Sequence, residues 1–229
     1  MTASWFDTAL AVQILPTLMR ATGVSIFVTI CGFLIALLLG IPLMLARRSG
    51  WGAVSRITAF FIEFVRSTPL LVQIYFFFYV LPDIGIRLDP ITTGIIAVSL
   101  HYGCYLSEVY RSGIEAIPTG QWDASTALGF SRRDNFCFII LPQMIPRIIP
   151  TAGNFLVYMV KDSPLLASIG VAEVMFVAKD ISQERFQYLE PITMCGLIFL
   201  LFSSSFSALL RYTETMVGRT WVAKDRFHG

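Results

Sequence analysis

The sequence predicts an all-α polytopic membrane protein that passes through a bilayer five times, N-terminus outside and C-terminus in the cytoplasm. Three observations carry that prediction. Of the 229 residues 55% are hydrophobic and only 14% charged, and a mean hydropathy of +0.70 is too high for an ordinary water-soluble domain. Long uncharged runs recur along the chain. The basic residues between those runs are shared unequally between two sides. The same composition leaves no room for a large extramembrane catalytic domain. With 17 Lys+Arg against 15 Asp+Glu, the formal charge of +2 forms no basic stripe of the kind nucleic acid requires.

A hydrocarbon core of roughly 30 Å takes about 20 apolar residues to cross as a helix. Residues 21–46 are free of charge and form the first span. Nothing before them resembles a cleavable leader, so the N-terminus reads as an uncleaved first helix. Residues 57–81 are the second span, carrying Glu63 and Arg66 at i,i+3, a pair expected near its cytoplasmic end with a structural role. Residues 90–108 are the third. The fourth, 139–160, holds Pro142, Pro146 and Pro150 and is expected to be kinked or broken, with Arg147 in a structural or gating role. The fifth is 190–211, and all five belong to one domain, 1–229. This arrangement collects Arg47, Arg48, Arg56, Arg111, Arg132, Arg133, Arg211, Arg219, Lys224 and Arg226 on one side. Only Arg20, Arg87, Lys161, Lys179 and Arg185 fall on the other, which makes the first side cytoplasmic. The single, scattered Cys31, Cys104, Cys137 and Cys195 offer neither a disulfide framework nor a zinc site.

Two connections are longer than packing requires. In the cytoplasmic one, 111–136, Pro118 and Gly120 open a stretch in which Trp122, Ala124, Ala127 and Leu128 recur at helical spacing, and Gly129 serves as a stop. Ser131 and Asp134 then read as a capping pair for the next helix. In the outer connection, 161–190, Ser163 is expected to cap a helix beginning at Pro164. Thr68-Pro69-Leu70-Leu71 resembles Ser163-Pro164-Leu165-Leu166, and Glu63-x-x-Arg66-Ser67 resembles Glu108-x-x-Arg111-Ser112, weak hints of internal symmetry.

No hydrolase, metalloprotease or nucleotide-binding signature is present, and His101 and His228 are the only histidines. No catalytic or metal-binding residue is predicted. Polar groups at membrane depth are costly and line a path or pair with one another. The candidates are Gln73, His101, Tyr102, Tyr105, Asn154, Tyr158 and Asp162. Asn154, Tyr158 and Asp162 are spaced by four and share one helix face.

Asp123-Ala124-Ser125, Gly129 and Ile139-x-Leu141-Pro142 have the spacing of the coupling loop in permease subunits of bacterial ATP-binding-cassette importers. Residues 105–122, Arg66-Ser67-Thr68-Pro69-Leu70-Leu71-Val72-Gln73 and Lys161-Asp162-Ser163-Pro164-Leu165-Leu166 resemble the polar amino acid permeases of that family. The family's glutamate is Asp123 here and its second alanine Ser125, which keeps charge and size. The resemblance implies a type I importer permease of the bacterial inner (plasma) membrane. It implies a cytoplasmic ATPase dimer that holds ATP and Mg, a second permease subunit and an extracytoplasmic solute-binding protein, with no cofactor on this chain. It also implies coupling through Glu115, Asp123, Ala124 and Gly129. Substrate contact is expected at His101, Tyr105, Asn154, Phe155, Tyr158 and Asp162. Relatives carrying cationic amino acids tend to have an acidic residue where Phe155 stands, which disfavours a strongly basic solute. Residues 79–86, 100–102 with 107–110, and 186–191 resemble the ectoine and hydroxyectoine permeases, and an aromatic face beside a carboxylate suits a compact zwitterion. The competing reading is a stand-alone ion-coupled carrier or channel with Glu63, Arg66 and His101 as a charge relay.

Overall fold

The computed structural model describes residues 5–225, with side chains through Tyr212; Arg226 and His228, and the side chains of Arg219 and Lys224, lie outside that range. The chain is helical in nearly all of it. Helix α1 (Thr8–Arg47) starts well before Arg20 because Asp7 caps it, accepting from the amides of Ala9 and Leu10. The Asp7 amide in turn donates to Glu190 at 2.8 Å. The early turns of α1 bury Leu10, Ile14, Leu18 and Ala21 against Val174 and Ala178 of α8 (Val174–Arg185) and Cys195 and Ile198 of α9 (Leu189–Asp225). The first helix is thereby longer than the uncharged run that marks it.

The segment expected as one second span is two helices. After α2 (Gly52–Ser67) the chain turns by 103° and resumes as α3 (Leu70–Tyr75), followed by π-helical and 3₁₀ turns to Ile84. Pro69 cannot donate a backbone hydrogen bond, which opens the helix there. The Gln73 side-chain amide then donates to the carbonyls of Val65 (2.7 Å) and Thr68 (3.0 Å) and stabilises the bend.

By length and composition, the described residues include three helical stretches able to cross a membrane: Thr8–Arg47, Arg132–Ile169 and Leu189–Tyr212. The bent pair α2 and α3 makes a fourth if counted as one. Helix α4 (Pro90–Glu115) covers the expected third span but is less apolar. Fourteen of its 26 residues are buried, among them Thr93, Ser99, His101 and Ser107, so its polar groups meet protein. Its main partner is α1, along a seam of small residues. Gly32, Ala36 and Gly40 let the two backbones approach, and Ser99 and Tyr110 donate across it to the carbonyls of Gly32 (3.1 Å) and Leu37 (3.2 Å).

The fourth span, expected to be kinked or broken, is not broken. A single turn α6 (Arg132–Asp134) and a π-helical turn, Asn135–Ile140, lead into α7 (Leu141–Asp162), which runs through Pro146 and Pro150. The wider π turn ahead of Pro142 takes up the local mismatch of a missing donor. Ser163 does not cap a new helix, as its hydroxyl donates back to the Val160 carbonyl at 2.9 Å, and a 3₁₀ stretch, Ser163–Ile169, simply prolongs α7.

The fully buried Glu173 caps α8, accepting from the amides of Met175 (2.9 Å) and Phe176 (2.7 Å). Burial pushes its carboxyl up to about 7 from the ordinary 4.5, against the pull of those amides and Ser25. The raised value means that folding favours the neutral acid. Stability is fullest below about pH 4.5 and declines as pH rises to about 7, by ~3 kcal/mol at most. Thermal unfolding of Glu173→Gln should be flatter than wild type across that window, and an unchanged profile would assign the pH dependence elsewhere.

Candidate functional site

Two features stand out, an aromatic cluster between α4 and α7 and the short helix that joins the same two helices. In the cluster, Tyr105 lies 5.2 Å from His101 and 5.4 Å from Phe155 between ring centroids, Tyr102 lies 5.9 Å from Phe155, and Tyr158 lies 6.1 Å from Phe155. Three residues spaced 101, 102 and 105 cover one side of α4, and 155 and 158 cover one side of α7, so the rings interdigitate as helix packing requires. The Tyr102 hydroxyl donates to Asp162 at 2.5 Å, bridging the helices at the end of α7. His101 Nδ1 meets the Gln73 side-chain oxygen at 3.3 Å, which links the cluster to the α2–α3 bend.

Of the expected contact residues, His101, Tyr105, Phe155, Tyr158 and Asp162 come together. Asn154 does not join the rings; it is exposed on α7, one turn from the half-exposed Tyr158. Tyr102, which spacing alone made only a candidate, is the residue that ties the carboxylate to the rings. Arg66 was also undervalued by its spacing to Glu63. That pair exists, but at 3.8 Å and with Glu63 largely exposed, while the Arg66 guanidinium lies over the Tyr105 ring, 4.9 Å from its centroid. Among the described residues Glu63 meets Arg66 and Ser67, and His101 hydrogen-bonds Gln73, so no hydrogen bond or ion pair joins Glu63 and Arg66 to His101.

On the loop between α4 and α7, α5 (Thr119–Ala127) follows Pro118. It ends in a reciprocal cap in which the Gly129 amide donates to Thr126 (3.0 Å) and the Phe130 amide to Ser125 (3.1 Å), with Gly129 at φ +79°. Ser131 caps the following turn, accepting from the Asp134 amide and donating to its carboxylate at 2.6 Å. Asp123 and Ala124 are exposed on α5. Glu115, by contrast, is engaged at the end of α4 by Arg111 (2.6 Å) and Arg48 (3.6 Å), with Arg111 also holding Glu108 (2.7 Å). Arg147 of α7 donates to the Ala116 carbonyl, and Gln143 to Gln121 at 3.2 Å, which anchors the loop to α7. The exposed Leu128, Phe130 and Phe138, with Asp134, line an open cleft around Gly129 that the polar pattern of the loop concealed.

Residues 32–218 match the family described as the binding-protein-dependent transport system inner membrane component. The chain belongs to that family. Among its relatives, a probable amino-acid ABC transporter permease of Sinorhizobium fredii is 39% identical over 91% of this chain and 90% of its own length. The glutamine transport system permease of Escherichia coli is 29% identical over 91% and 96%. Among solved structures, an amino acid ABC transporter crystallised with histidines matches with a TM-score of 0.88 and 28% identity, covering 93% of this permease and all of that chain. The MetNI methionine ABC transporter, facing inward, matches at 0.70 with 15% identity over 93% and 99%, which shows the shared fold.

Proposed function

We propose that this permease is the membrane subunit of an ATP-driven, binding-protein-dependent importer of polar amino acids, with α5 as its coupling element. The carrying observation is that α5 joins α4 directly to the α6–α7 run, whose main helices build the aromatic cluster. A push on α5 therefore moves the two walls of the cluster, because Gly129, Ser131 and the Arg147 anchor hold the loop short and stiff. Five crossings with the N-terminus outside agree with the cytoplasmic placement this requires for α5. A partner ATPase dimer binds ATP and Mg and docks on Asp123, Ala124 and the Leu128–Phe138 cleft. A second permease subunit completes the path along the open face of α7, where Asn154 and Tyr158 are exposed.

Relatives named for glutamine, cystine and arginine transport support an amino acid as the solute. In the cluster the Asp162 carboxylate and the ring faces suit the ammonium of such a solute. The test is uptake by the reconstituted complex with a panel of labelled amino acids and ectoine. ATP-dependent uptake of a polar amino acid is expected, whereas gradient-driven uptake by the purified chain alone would favour a stand-alone carrier. Asp162→Asn should lower uptake roughly tenfold or more, as expected for loss of a charge-assisted hydrogen bond. Unchanged uptake would remove Asp162 from the site.

A further inference from the structure

We infer that Arg66 is the anchor for the α-carboxylate of the transported solute, opposite Asp162 across the aromatic cluster; this rests on the amino-acid reading above. Three observations converge on the guanidinium. Its Nε is buried and has no hydrogen-bond partner. Its only ion-pair partner among the described residues is Glu63, 3.8 Å away with a side chain 73% exposed. Its planar face lies 4.9 Å over Tyr105, while the Tyr105 hydroxyl donates to the Arg66 backbone carbonyl at 3.3 Å, which fixes backbone and ring together.

The setting gives these contacts their meaning. Tyr105 lies three residues inside the inner end of the 90–108 span, and the Arg66 side chain is 33% exposed, so the guanidinium sits part-shielded near the cytoplasmic edge of the bundle. A cation there is costly unless it is paired. An aromatic face offsets part of that cost, and a distant, exposed carboxylate offsets little. The remaining donors form a planar fork suited to bidentate binding of a carboxylate.

The cluster is thus polar at both edges and aromatic between. Arg66 stands at the Tyr105 edge and Asp162 at the Tyr102 edge, with His101, Tyr102, Tyr105 and Phe155 separating them by successive ring contacts of 5–6 Å. That order of charges is the order of a dipolar solute. The carboxylate is common to all α-amino acids, so Arg66 selects the class, while the open α7 face with Asn154 and Tyr158 meets the side chain. The position also suits gating, since Arg66 is the penultimate residue of α2 before the 103° bend, where a bound anion would hold α2 against α4.

The experiment uses the full permease–ATPase complex. Uptake of the twenty amino acids in proteoliposomes with the binding protein identifies the one best carried. Equilibrium binding of that amino acid and of its α-carboxamide, which keeps the ammonium and loses the carboxylate, is then measured on the detergent-solubilised complex. Wild type should prefer the acid by about tenfold or more, the scale of one charge-assisted interaction. Arg66→Gln should bring that preference close to one while the ATPase still co-purifies, and Arg66→Lys should retain part of it. An Arg66→Gln complex with the wild-type preference overturns this assignment alone. So does one that loses acid and carboxamide equally with no recovery in Arg66→Lys. A wild-type complex that carries none of the twenty overturns the amino-acid reading and this assignment with it.

Discussion

Gly129→Val should separate ATP hydrolysis from transport, lowering solute moved per ATP several-fold while the subunits still assemble. Gly129 holds φ +79°, and a Cβ placed there would meet nothing within 4 Å, so the effect is one of backbone and not of crowding. A β-branched residue in the left-handed region costs roughly 1–2 kcal/mol or more. The cheapest relief is to abandon the reciprocal cap formed by the Gly129 and Phe130 amides on Thr126 and Ser125. Once that cap opens, α5 is no longer held at a set angle to the Ser131 turn and α7, and the cleft of Leu128, Phe130 and Phe138 proposed as the ATPase contact loses its shape. Gly129→Asn, which tolerates the left-handed region, should recover most of the coupling. The measurement is the ratio of uptake to phosphate release in proteoliposomes. Wild-type stoichiometry in Gly129→Val would show that α5 need not be rigid.

Gly40→Leu should prevent the permease from assembling into a stable complex. A Cβ at Gly40 would stand 3.0 Å from the Tyr110 ring, 3.2 Å from the Leu106 Cβ and 3.2 Å from the Ser107 backbone nitrogen. The ring edge can shift, but the α4 backbone cannot. Overpacking by smaller groups costs typically 1–3 kcal/mol, and a leucine adds three more carbons that must force α1 and α4 apart. The Tyr110 and Ser99 bonds across the seam would be lost with that separation. Because Tyr102 and Tyr105 ride on α4, the cluster would be disturbed as well. Gly40→Ala should cost far less, since a few tenths of an ångström of adjustment accommodates one carbon. Size-exclusion profile and thermal unfolding of the purified complex report the result, and a wild-type melting temperature in Gly40→Leu would mean that the seam is looser than its contacts indicate.

The legible parts of this protein are those whose physics is local. Apolar runs announce helices because each residue contributes to burial independently of its distant neighbours. The α5 element was readable to the residue, with Pro118 before it, Gly129 at its stop and Ser131 with Asp134 at the restart, because caps and turns act across three or four positions. The same locality explains the misses. Proline count in the fourth segment suggested a kink or a break, and of these the break is absent, because a π turn precedes Pro142 and the surrounding helices support α7. In the second segment the break is real, and its stabilising residue is Gln73, whose amide reaches back eight residues to Val65.

By itself, then, the sequence determined that the chain is helical and apolar, that it carries a short helix with a glycine stop and a capped restart between α4 and α7, and to which family its motifs point. Only the tertiary structure decided that Tyr102 reaches Asp162 across 60 positions, that Tyr105 meets Arg66 across 39, and that Asn154 is left exposed. Helical period tells which residues share a face, but not which face meets which neighbour. That choice depends on how closely two backbones approach, and here it was made by the small residues of the α1–α4 seam and the bend after α2.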